Sequence, residues 1–138
     1  MNGARMRVLI SDCDTDVLIA LERVLEDDGF DTTTACTTDE TLRLLAQKNF
    51  DLILAADHPP ELNCEVLLRN SQSGGIPVVA LENGPRHPFA EPYLLSLGAK
   101  RIVHKWEYQE VQNAVKDLLV RHVGETAKSA VAGTANLE

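Results

Sequence analysis

What most limits the fold of this chain is a repeated change of hydrophobic period. Five short runs read as strands, and each gives way to a stretch with helical spacing. The runs are Arg7-Val8-Leu9-Ile10-Ser11, Asp31-Thr32-Thr33-Thr34-Ala35, Leu52-Ile53-Leu54-Ala55, Ile76 to Leu81 and Arg101-Ile102-Val103-His104. The first and third are continuously apolar, as strands buried on both faces are. The second is β-branched but polar, which marks a more exposed strand.

The helical stretches carry their own signals. Val17, Leu21, Val24 and Leu25 share one face of the first helix, with Asp14 or Thr15 placed to cap it and Gly29 to end it. Thr37-Thr38-Asp39-Glu40 has the spacing of a capping box and opens a second helix with Leu42, Leu45 and Ala46 on one face. Glu61 to about Ser71, with Leu62, Val66 and Leu67, predicts a third, and Gly74-Gly75 breaks the chain after it. Pro85, Pro88 and Pro92 stiffen or displace the start of a short fourth helix, predicted over Pro92 to Leu97 and closed by Gly98. Val111, Ala114, Val115 and Leu118 give the fifth, Glu107 to His122, its apolar face.

Strand and helix alternating through short loops imply a doubly wound α/β sheet of five parallel strands, with helices on both faces in three layers. Its 138 residues suit one domain, here residues 1–123, while residues 124–138 are small and polar and read as a flexible tail or linker.

Several function classes are disfavoured by composition. A formal net charge of −8 opposes nonspecific binding to nucleic acid or an anionic membrane surface. No apolar run is long enough to span a bilayer, and the N-terminus lacks a signal peptide's basic and apolar blocks, so a cytoplasmic location is expected. Cys13, Cys36 and Cys64 form no C-x-x-C pair and are expected as free thiols. Their spacings match no zinc pattern; three unremarkable thiols are the ordinary reading, and a soft-metal or redox site the special one.

In an open parallel sheet, functional groups gather at the carboxyl ends of the strands. Those tips carry Asp12-Cys13-Asp14, Cys36-Thr37, Ala56-Asp57, Glu82-Asn83 and His104-Lys105. Phe50-Asp51-Leu52 before the third strand and Pro60-Glu61-Leu62-Asn63-Cys64 after it complete a pattern that resembles the receiver domains of bacterial response regulators, over roughly Arg7 to Arg121.

The resemblance implies the flavodoxin-like (βα)5, CheY-like fold. It also implies a chemistry in which a carboxylate at the third tip accepts a phosphoryl group, an acidic pair binds Mg²⁺ and a lysine stabilises the phosphoryl oxygens. Asp12 matches the first acid and Lys105 the lysine. Cys13 stands in the second acid's place, and a thiol is a poor Mg²⁺ ligand, so metal binding at Asp12 is expected to be weak or absent. Both flanks place the phosphoacceptor at Ala56, which has no nucleophile. Asp57, one residue late, reads as a solvated or turn-capping carboxylate. Glu82 replaces the hydroxyl of the fourth tip, Ile102 the switch aromatic and Trp106 the proline after the lysine. Glu82 either pairs with Lys105 or is solvated.

The expected protein is therefore a degenerate receiver, a pseudo-receiver of two-component signalling. It is expected to need no cofactor, to have no enzymatic activity and to work by protein–protein interaction. The implied partners are a histidine kinase or an output protein, with a homodimer as a further option. By resemblance the partner face includes Tyr93, Leu94 and Leu97, together with Trp106 and Tyr108. Two alternatives stay open: a receiver phosphorylated on Asp57 with Mg²⁺, and a flavodoxin-like domain that binds a small molecule or metal.

Overall fold

The sheet is built from the inside out. Its centre is Leu52–Ala56 (β3), where Leu52, Ile53, Leu54 and Ala55 are fully buried and Ala56 almost so. Each large aliphatic side chain withdrawn there contributes about 1.5–3 kcal/mol. In this computed structural model, residues 5–83 and 90–119 are described. Around β3 lie Arg7–Ser11 (β1), Thr15–Asp27 (α1), Asp31–Ala35 (β2), Thr38–Gln47 (α2), Cys64–Gly74 (α3), Val78–Glu82 (β4), Ala90–Ser96 (α4) and Arg101–His104 (β5). A last helix, α5, covers 108–119.

All strands are parallel, in the order β2-β1-β3-β4-β5. Right-handed crossovers then dictate the layers. The β1-to-β2 step runs one way along the sheet and puts α1 on one face. The three later steps run the other way and put α2, α3 and α4 on the opposite face. After β5 the chain returns to the side of α1, where Gln112 Nε2 and Lys116 Nζ meet Asp28 Oδ2 at 2.9 and 3.5 Å. The direction reverses between β1 and β3, so a crevice opens at their carboxyl ends.

The helix ends follow their capping chemistry. Asp14 Oδ1 accepts from the N–H of Asp16 and Val17 at 3.0 and 3.4 Å. Gly29, at φ 95°, closes α1, its N–H donating to Glu26 O and that of Phe30 to Leu25 O. This pair of bonds is a Schellman motif, and the positive φ explains the glycine. Thr37 Oγ1 accepts from Glu40 N–H at 3.0 Å. The Glu40 carboxylate reaches back to Cys36 N–H, one residue ahead of the cap, at 2.9 Å.

The structure moves several boundaries and faces. The third helix starts at Cys64, not Glu61, because residues 58–62 form a turn closed by reciprocal backbone bonds between His58 and Leu62. Leu62 is a fully buried loop residue rather than a helical one. β4 is Val78–Glu82, which leaves Ile76 and Pro77 ahead of it. The fourth helix begins two residues early, at Ala90, and ends at Ser96. On α2 the fully buried residue is Thr41, whose hydroxyl bonds Thr37 O and Ser11 Oγ; Leu42 and Leu45 are half-buried and Ala46 is exposed. Leu18 and Leu119 join the core while Val24 and Leu118 are only partly buried.

The proline-rich residues 84–89, the end of the expected fifth helix and the tail 124–138 lie outside the described residues. Among the described residues, no helix is long and apolar enough to cross a membrane.

Candidate functional site

Asp12 follows β1 directly, and its N–H continues the ladder to Ala35 O at 3.1 Å. The backbone therefore holds its side chain at the β1/β3 crevice. Lys105 follows β5 and is held by its own N–H to Glu82 O at 2.8 Å. The lysine crosses the end of the sheet and places Nζ 3.2 and 3.3 Å from the two Asp12 carboxylate oxygens. Both residues are buried, at 0% and 1% exposure. Asp12 Oδ1 also accepts from Asp14 N–H at 2.8 Å. The ammonium thus neutralises a carboxylate that burial would otherwise make costly.

This is a different pairing from the one considered for Glu82. The Glu82 contact to Lys105 is through the backbone, and Glu82 itself, half-buried at the end of β4, stands opposite His104 in the ladder. Ile102 stands opposite Ala80 and packs partly buried against the core.

The third tip divides its two residues between different environments. Ala56 is 2% exposed and opposite Leu81. Successive strand side chains face opposite ways. Asp57, the next residue, is exposed, and its Oδ1 accepts from Cys64 N–H at 3.0 Å, the first amide of α3. Asn63 Oδ1 takes the N–H of Val66 at 3.2 Å. Two side chains therefore satisfy amides that the helix start leaves without partners. Asp57 lies in a cleft of about 280 Å³ with Asn63, Cys64, Glu65, Tyr93 and Leu94. It takes no hydrogen bond from Lys105, whose ammonium is engaged by Asp12.

The cysteines do not converge. Cys13 Sγ donates to Cys36 O at 3.2 Å. Burial foremost, then the nearby Asp12 and Glu61, pushes the Cys13 thiol above its ordinary range. Cys36 is exposed; Cys64 is buried with its Sγ near Ala55 O, and burial followed by Asp57 pushes its thiol up to about 12. Among the described residues, no three His, Cys, Asp or Glu side chains come together as a metal site would require.

The expected partner face is only partly outward. Tyr93 is 48% exposed and Trp106 43%, but Leu94 and Leu97 turn in and pack against the core. Leu95 is the exposed leucine of α4. Three leucines within four positions leave the helical phase ambiguous, so the sequence did not single it out. Trp106 Nε1 donates to Asn83 Oδ1 at 3.3 Å, and its ring lies 6.3 Å from that of half-buried Tyr108. Tyr93 hydrogen-bonds Glu65, which raises its phenol above the usual range; Arg69 foremost, then Tyr93, holds the Glu65 carboxyl low. Ile19, exposed on α1 beside a second cleft with Arg23 and Tyr108, was also outside the expected set. Its signal was an apolar residue off the apolar stripe.

No protein-family model and no curated protein sequence matches the chain. Its likeness lies in three-dimensional structure. A CheY-like response regulator receiver domain protein from Methanospirillum hungatei JF-1 superposes with a TM-score of 0.79 at 23% identity, over 88% of this chain and 99% of that one. A Francisella response regulator 1452 receiver domain gives 0.76 at 25%, over 86% and 99%. A two-component response regulator from Clostridium difficile gives 0.77 at 22%, over 86% and 98%. The class is thus a doubly wound, flavodoxin-like α/β domain. Within that class, the fold is that of the CheY-like receiver domains of response regulators.

Proposed function

We propose that the chain is an atypical receiver that transmits signals by protein–protein interaction without being phosphorylated. The observation that carries this reading is the division of the two acidic tips. Asp57 caps α3 from an exposed position, while the acceptor position inferred from both flanks, Ala56, is buried and has no nucleophile. The residues present also fit Mg²⁺ poorly. A hard cation needs several oxygen ligands. Here Asp12 at the β1/β3 crevice already holds an ammonium, and the neighbouring thiol is turned to Cys36 O.

The partner in this reading is a signalling protein, a kinase or an output protein, that meets the outward side chains of α4 and the start of α5. Tyr93 and Leu95 on α4 and Trp106 ahead of α5 are large exposed apolar groups. Aromatic anchors of this kind commonly dominate binding energy. The reading expects no catalytic turnover by this chain.

The test is incubation with acetyl phosphate and Mg²⁺, followed by intact-mass analysis under conditions that preserve acyl phosphates. The unmodified mass is expected. A phosphoryl adduct that disappears in Asp57→Asn would replace this reading with that of a receiver phosphorylated on Asp57.

A further inference from the structure

The geometry points to a redox modification site at the β1/β2 end of the sheet, where Cys13 and Cys36 form an intramolecular disulfide on exposure to a peroxide. β1 and β2 pair in parallel with Ser11 opposite Ala35, and the Asp12 N–H bond to Ala35 O carries the ladder one step further. Cys36 follows β2 directly and Cys13 comes one residue after Asp12, so the two lie on adjacent chain segments, offset by one position in the register. Neighbouring strands lie about 4.8 Å apart, and a disulfide needs Cα atoms about 4.4–6.8 Å apart. The Cys13 sulphur already rests 3.2 Å from the carbonyl oxygen of Cys36, against the backbone of the residue it would join.

Accessibility assigns the order of events. Cys36 is exposed and Cys13 half-buried behind it. The Cys36 thiolate attacks one peroxide oxygen and breaks the O–O bond; the sulphur becomes a sulfenic acid and the other oxygen leaves as water after protonation. The Cys13 thiolate then attacks the Cys36 sulphur, the S–S bond forms, and the sulfenic oxygen leaves as a second water. Two thiols lose two electrons and two protons, and one peroxide is reduced to two waters. Cys64 takes no part: it is buried beside Ala55 O, and its thiol is held in the protonated form.

Burial foremost, then the neighbouring Asp12, Glu61 and Cys36, raises the Cys13 thiol, and Lys105 opposes them. The disulfide would fasten the loop after β1 to the loop after β2, beside the buried Asp12–Lys105 pair. A domain without a phosphoacceptor would thereby gain a covalent input at the same end of the sheet. This inference stands whether or not Asp57 can be phosphorylated.

The experiment treats the full chain with hydrogen peroxide, blocks remaining thiols, unfolds it and digests it with trypsin. The three cysteines fall on separate peptides, 8–23, 24–43 and 49–69. Peptide 8–23 joined to 24–43 in monomeric protein is expected, released by a thiol reductant, with Cys64 recovered as a free thiol. In Cys13→Ser, Cys36 is expected as sulfenic or sulfinic acid instead. Absence of the 8–23/24–43 link, its appearance only between two copies, or a link to 49–69 would each overturn the proposal.

Discussion

Asp12 and Asp57 sit at the tips of neighbouring strands and have opposite fates. Asp12 is wholly buried, accepts from Asp14 N–H and faces the Lys105 ammonium through both oxygens. Asp57 is exposed and holds the first amide of α3. The difference shows how much one position along a strand decides. Ala56 ends β3 buried, while Asp57, the next residue, is exposed and its carboxylate serves as a local partner for the backbone of α3.

The comparison can be broken most forcefully at Lys105. Lys105→Met leaves the buried Asp12 carboxylate without its cation, and about 3–5 kcal/mol of stability should be lost, read as a lower midpoint in urea. Asp12→Leu combined with Lys105→Met should regain most of that loss, because apolar packing replaces both charges. A midpoint unchanged in the single variant would mean that the pair is not buried in solution.

The second test uses alkaline pH. Cys64 is protonated in the fold well above the ordinary thiol range, with its pKa raised from 9.0 to about 12. The folded state therefore binds more protons than the unfolded state between those values, and stability falls as pH rises through that window. Cys64→Ala should flatten that part of the urea-midpoint profile. An equal slope in both proteins would place Cys64 in solvent and loosen the loop that holds Asp57.

Asp57 itself should matter less. Asp57→Ala removes the bond to Cys64 N–H and should cost about 0.5–2 kcal/mol, in the range of a lost helix cap. Asp57→Asn keeps an accepting oxygen and should cost only a few tenths of a kcal/mol. The same urea titration separates them. A larger effect from Asp57→Asn than from Lys105→Met would reverse the contrast between the two tips.

The fold could be read from the chain because its determinants are local. Continuous apolar runs fixed β1 and β3, Asp14 and Thr37 supplied caps, and Gly29 and Gly98 take the positive φ their helix ends require. The third helix was misread at its start because apolar spacing cannot distinguish a buried loop leucine, Leu62, from the first turn of a helix. The site was less legible. The Asp12–Lys105 contact joins residues 93 positions apart, across the ends of β3 and β4, and no local pattern encodes it. Glu82 looked as suitable a partner by charge alone. Only the placement of β5 beside β4, with Lys105 N–H bonded to Glu82 O, directs the ammonium onward to Asp12.

The most direct measurement is a titration of isotope-labelled protein with beryllofluoride and Mg²⁺, followed by amide NMR. The buried pair and the outward Asp57 predict unchanged resonances for residues 12–14, 56–58 and 104–106. Saturable shifts gathered at those three tips, and absent in Asp57→Asn, would contradict a receiver that works without phosphorylation.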